Sequence, residues 1–127
     1  NFRGNINHID FGGIESTDIE QLKQLLSRKE NTGLVVLNSR VYELLNIMSQ
    51  EKIGENISII GHDSIGKNVE LLKSGQILYL ISQRSILQGY ESIKALSNLL
   101  IFNIVPTKEN YMSIDILIKE NIGFYNN

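Results

Sequence analysis

The feature that most constrains this chain is a punctuation repeated four times, in which a short apolar run stops at a polar cluster and a helical pattern follows. The clusters are Asp10-Phe11-Gly12-Gly13, Asn38-Ser39-Arg40, Gly61-His62-Asp63 and Ser82-Gln83-Arg84. Strand, polar stop and helix in succession build βαβ units, and in an open parallel sheet the carboxyl ends of the strands share one edge, where ligands bind. The pattern predicts that these clusters meet at one place, suited to something small and polar.

The periodicities place the elements. Ile6, Ile9 and Phe11 give a strand signal over Asn5 to Phe11, ended by Gly12-Gly13. Thr17 and Glu20 at capping-box spacing, Asp18 in the first turn, the repeat Ile19, Leu22, Leu25, Leu26 and the closing Arg28-Lys29 predict a helix. Leu34 to Leu37 is a continuous apolar run, the mark of a parallel strand covered on both faces. Ser39 is placed to cap a helix with Val41, Leu44, Leu45 and Met48 on one stripe, and Gly54 closes that unit. A strand at Ile57 to Ile60, a short helix at Lys67 to Lys73 stopped by Ser74-Gly75, and a strand at Ile77 to Ile81 follow. Tyr90, Ile93, Leu96, Leu99 and Leu100 predict a longer helix from Ile86 to Phe102, and Pro106 marks a connection after it. In the tail Met112, Ile114, Ile116 and Ile118 alternate with Ser113, Asp115, Leu117 and Lys119, as in a strand near a sheet edge. The expected fold class is α/β: a three-layer parallel sheet with helices on both faces.

Length and composition narrow the partners. With 127 residues, one domain is expected. Hydrophobic residues at 42% and charged ones at 20% are globular proportions. A net charge of −2 leaves no basic excess for gripping nucleic-acid phosphates. The chain has no Cys, hence neither disulfide nor thiolate metal site, and no apolar run long enough to span a bilayer. Asn1-Phe2-Arg3-Gly4 shows neither an initiator Met nor a signal pattern and reads as the edge of a longer protein. Asn56-Ile57-Ser58 fits a glycosylation acceptor but lies in a strand run without secretory context.

Motifs with chemistry thin out on inspection. Gly61-His62-Asp63-Ser64-Ile65-Gly66-Lys67-Asn68 follows the phosphate-loop pattern except at its last position, where Asn68 replaces the hydroxyl that would hold magnesium. His8 and His62, the only histidines, sit on separate segments without metal-ligand spacing. Ser64, His62 and Asp63 are too close in sequence to face one another as a triad, and Asp10 with Asp63 shows no acid-base pairing beyond ordinary loop acids. What remains is a set of planar hydrogen-bonding groups, Asn38, Arg40, Asp63 and Gln83, able to meet neighbouring sugar hydroxyls bidentately. Asn38 and Asp63 are also ordinary turn and cap residues, whereas Gln83 has no comparable capping role.

Ile59-Ile60-Gly61-His62-Asp63, followed downstream by Ile81-Ser82-Gln83-Arg84-Ser85 and Gln88-Gly89-Tyr90, resembles the carboxyl half of the effector domain of lactose-repressor (LacI) family transcription regulators. The matches are Asn38 after the preceding strand, the strand end Gly61 to Asp63, and Gln83 with Gly89 on the next helix; the tail with Ser113-Ile114-Asp115-Ile116 is similar to the family's closing strand region. The sequence departs from the family in having Asn38-Ser39 in place of the usual Asn-Asp pair, and His62 in place of the common aromatic residue before the Asp.

The resemblance implies a periplasmic-binding-protein-like type I lobe of Rossmann-like or flavodoxin-like strand order, with Asn38, Asp63 and Gln83 as ligand contacts and, from strand-end location, Arg40 and Phe11 as further candidates. It implies that residues 1–127 are the second half of a two-lobe domain, with 77–105 belonging to the other lobe. A small carbohydrate effector, DNA contact only through a helix-turn-helix upstream, a homodimer and a cytoplasmic location are implied, with no membrane, cofactor, metal or catalysis. The alternative on the same fold is a periplasmic sugar-binding component of a transporter or sensor. A phosphate-loop or flavodoxin-like enzyme would instead require ligand contacts at Gly66 and Lys67.

Overall fold

The computed structural model describes residues 5–9, 16–27, 32–54 and 57–125. Among these residues four helices, α1 (Ser16–Leu26), α2 (Val41–Gln50), α3 (Gly66–Lys73) and α4 (Ser85–Phe102), accompany four strands, β1 (Gly33–Val35), β2 (Ser58–His62), β3 (Tyr79–Ser82) and β4 (Asp115–Leu117). A short 3-10 turn at Ile122–Phe124 ends the described chain. Residues 5–9 carry no strand, although Ile9 packs on the core, and Asp10 to Gly13 lie outside the described residues.

The sheet order is β1-β2-β3-β4. Strands β1 to β3 are parallel, with Leu34 opposite Ile59 and His62 opposite Ile81. Two right-handed crossovers that step in the same direction put their helices on the same face. Accordingly Val41 and Met48 of α2 and Leu72 of α3 share one buried core with Ile59, Leu80 and Leu117. Leu22 of α1 joins that core, and Lys23 Nζ reaches Glu51 Oε2 at 2.8 Å beside it. The other face stays open among the described residues: Val35 is 52% exposed and Ile116 64%. The expected three layers are therefore seen here as two, and the run Leu34 to Leu37 is not covered on both sides.

Gly61 is a strand residue rather than a strand stop. A Cβ built there would lie 2.8 Å from Leu80 Cδ2 and 2.9 Å from Val41 Cγ1, so the missing side chain lets α2 lie close on the sheet. Gly75, at φ +80°, ends α3 in the left-handed conformation, with Gln76 N–H donating back to Leu71 O at 2.9 Å.

The last strand corrects the all-parallel expectation, since β4 runs antiparallel to β3 with Ser82 opposite Asp115. A crossover helix packed on a sheet carries the chain back to the amino ends of the strands and so yields a parallel neighbour. No residue of α4 is buried. It leaves from the carboxyl edge without covering the sheet, and residues 103–114 bring the chain back to that same edge.

Candidate functional site

The carboxyl ends of β1, β2 and β3 form one rim, because the parallel register carries Val36 N–H to Ile60 O at 2.9 Å and Asp63 N–H to Ile81 O at 2.8 Å. Asn38, Asp63 and Gln83 follow these strands directly or within a few residues, so all lie along that rim.

Each is positioned by a local device. Asn38 is exposed and its Oδ1 accepts the Arg40 N–H at 2.9 Å, an Asx turn that opens α2. This replaces the expected Ser39 cap, since Arg40 occupies the capping position and no side chain caps it. Arg40 turns away to its own helix, where its Nη2 meets Glu43 Oε2 at 2.6 Å. The Arg40 guanidinium, then the Tyr42 hydroxyl, hold the Glu43 carboxyl below its usual range. Phe11 lies outside the described residues.

Asp63 adopts φ +64° and Arg84 φ +52°. Left-handed backbone costs a non-glycine residue about 1–2 kcal/mol, less for Asp, and such outliers concentrate where a strand end must aim side chains. Arg84 is held by Asp115 across the sheet, Nη2 to Oδ1 at 2.9 Å and Nε to Oδ2 at 2.5 Å. That guanidinium keeps the Asp115 carboxyl below its ordinary value. The ion pair ties the start of β4 to the end of β3.

Two residues discounted by sequence reasoning tie the rim together. Asn68 is fully buried, and its Nδ2 donates to Ser39 O at 2.9 Å, His62 O at 3.1 Å and Asp63 O at 3.1 Å. It thus clamps the loop after β1 to the loop after β2. Its signal was legible: Asn68 and Leu72 stand one helical turn apart on the buried face of α3. A buried amide there demands partners. His62 is the second link, with Nε2 at 2.9 Å from Gln83 Nε2 and Nδ1 at 3.1 Å from Asp63 Oδ1. Asp63, His62 and Gln83 therefore form one contiguous polar group, to which Asn38 is joined only through the neighbouring Ser39 carbonyl.

Below the rim, Ser82 is buried, and its Oγ lies 3.1 Å from Ser64 Oγ and 2.7 Å from the Tyr125 hydroxyl. Gln88 Nε2 donates to Gln83 O at 2.7 Å and fixes the backbone from which Gln83 projects. Lys67 does not point to a phosphate-sized loop; its Nζ lies 4.4 Å over the Tyr42 ring.

The fold is that of a periplasmic-binding-protein-like type I lobe, as two solved structures show. A Bacteroides fragilis protein assigned as a LacI transcriptional regulator is 35% identical and superposes with a TM-score of 0.73, covering 87% of this chain and 38% of that one. A chain of the XylFII-LytSN complex, 16% identical, superposes at a TM-score of 0.54 over 86% of this chain and 39% of its own length. The resemblance to a LacI-type regulator expected from the strand-end motifs is thus present in three dimensions. The chain spans well under half the length of either structure. No protein-family model matches the sequence, and no curated protein matches it. No helix among the described residues is long and apolar enough to cross a membrane.

Proposed function

We propose that this chain supplies one wall of the effector cleft of a LacI-type DNA-binding transcription regulator, and that the effector is a sugar or a related small polar molecule. The observation that carries the reading is the single rim along which Asn38, Asp63 and Gln83 lie, with Asp63 held in left-handed backbone. Amide and carboxylate groups spaced along one edge suit paired hydroxyls, which both donate and accept. The 35% identity to the Bacteroides fragilis protein supports a regulator in preference to a periplasmic binding component.

In this reading α4 crosses to the facing lobe. Ile86, Tyr90, Ile93 and Leu100 are all more than half exposed on it, a stripe that an isolated domain would not leave in water. Strand β3 lies in this sheet between β2 and β4, so of the expected crossover 77–105 the helix is the part proposed to leave. DNA contact is assigned to a helix-turn-helix outside this segment, in a cytoplasmic homodimer. Effector binding between the lobes shifts the open–closed balance and with it the affinity for DNA.

The test is isothermal calorimetry with a monosaccharide panel on the two-lobe protein. Asp63→Ala is expected to weaken the ligand found by about 2–4 kcal/mol, the cost of leaving buried hydroxyls unpaired. Unchanged affinity removes Asp63 from the site.

A further inference from the structure

We propose that His62 is a positioning residue that decides whether Gln83 offers the cleft an acceptor or a donor, and that protonation of His62 reverses the choice. The consequence for ligands rests on the effector-cleft reading above; the hydrogen-bond exchange itself does not.

The geometry fixes the first state. An amide nitrogen can only donate, so the 2.9 Å contact between Gln83 Nε2 and His62 Nε2 requires the imidazole nitrogen to accept. The ring proton then sits on Nδ1, a buried atom that makes no hydrogen bond among the described residues but lies 3.1 Å from Asp63 Oδ1, where the carboxylate's charge favours a protonated nitrogen over a bare lone pair. Gln83 is exposed, and with its NH2 group turned to the histidine it presents Oε1 outward. In this state the rim carries an acceptor.

A second proton on His62 goes to Nε2 and sets two donors against each other. The terminal torsion of Gln is broad and two-fold, so a half-turn of the amide relieves the clash. Oε1 then accepts from His62 Nε2–H and the NH2 group faces outward. The backbone need not move, because Gln88 Nε2 holds Gln83 O at 2.7 Å. The rim exchanges an acceptor for a donor.

Charged groups near the rim on the flanking elements are engaged elsewhere, while Glu70 and Lys73 lie further along α3. On α2, Arg40 pairs with Glu43; on α3, Lys67 lies over Tyr42; across β3 and β4, Arg84 pairs with Asp115. Asp63 is the carboxylate at the ring. A ligand hydroxyl adapts to either state, whereas a carboxylate or ketone oxygen can only accept. The proposal therefore gives acidic or keto sugars tighter binding on the protonated side and neutral polyols little change.

The experiment is a pH titration of the 15N-labelled chain by NMR, reading the His62 ring nitrogens and the Gln83 side-chain amide. We expect the Nδ1–H tautomer at pH 8, a Gln83 amide signal that moves with the His62 midpoint, and a flat Gln83 signal in His62→Phe. A Gln83 amide that ignores the His62 titration, or one that still titrates in His62→Phe, overturns the proposal. Should that variant not fold, the wild-type tautomer decides alone: an Nε2–H ring at pH 8 overturns it. Failure of every monosaccharide to bind the two-lobe protein would instead sink the effector reading and leave this result standing.

Discussion

Asn68→Ala tests the clamp most directly. The Asn68 Nδ2 group serves the carbonyls of Ser39, His62 and Asp63, but it has only two protons, so the loss amounts to two full hydrogen bonds shared among them. Leaving a buried acceptor unpaired costs about 1–3 kcal/mol, and the same substitution removes Asn68 Oδ1, which is buried without a hydrogen-bond partner among the described residues and returns part of that cost. The net expectation is a loss of about 2–4 kcal/mol, a large share of the roughly 5–15 kcal/mol that holds a domain folded. For a domain of this size that corresponds to a drop of about 6–15 °C in Tm. Thermal and urea denaturation followed by circular dichroism would measure it, and Asn68→Asp should be worse, because it sets a carboxylate against the same carbonyls. A fall of less than about 2 °C for Asn68→Ala would refute the clamp, since that is under 1 kcal/mol on the same scale.

Further outcomes are expected elsewhere in the fold. Gly61→Ala must push Leu80 or Val41 aside and should destabilise by about 1–3 kcal/mol in the same melts, whereas Gly66→Ala, which meets nothing within 4 Å, should not. The Asp115 carboxyl is held below its ordinary value by Arg84, so the pair contributes stability above the unfolded-state value near pH 4 and loses it as pH falls through the lowered folded-state value. Asp115→Asn should therefore lower stability at pH 7 and flatten the acid limb of the stability curve below about pH 4. An acid limb of unchanged slope would show that the pair does not govern that region.

How much was legible varies with how local the signal is. Helices α2, α3 and α4 fall within a residue or two of the sequence expectation, because stripes at helical spacing and the Ser74-Gly75 stop act within a few residues. Strand β2 was expected to end before Gly61, yet it runs through His62, because pairing with Leu80 and Ile81 extends it. The expectation of helices on both faces came from the apolar run Leu34 to Leu37, which a strand with one open face also produces. Asn68 was read against a phosphate loop and so as a defect, when its buried place beside Leu72 makes it a structural link. His62 departs from the family pattern, and its contact with Gln83 is invisible in the sequence because it joins the ends of two different strands.

The amino-acid order by itself settles what lies within one helical turn or one strand: where helices start and stop, and which polar residues stand at strand ends. Such features depend on backbone sterics and side-chain spacing over a handful of residues. The direction of β4, the placing of α2 and α3 on one side, and the contacts made by Asn68 and His62 were decided only by tertiary structure. They depend on pairings between distant segments, whose energies arise when the sheet has brought those segments together.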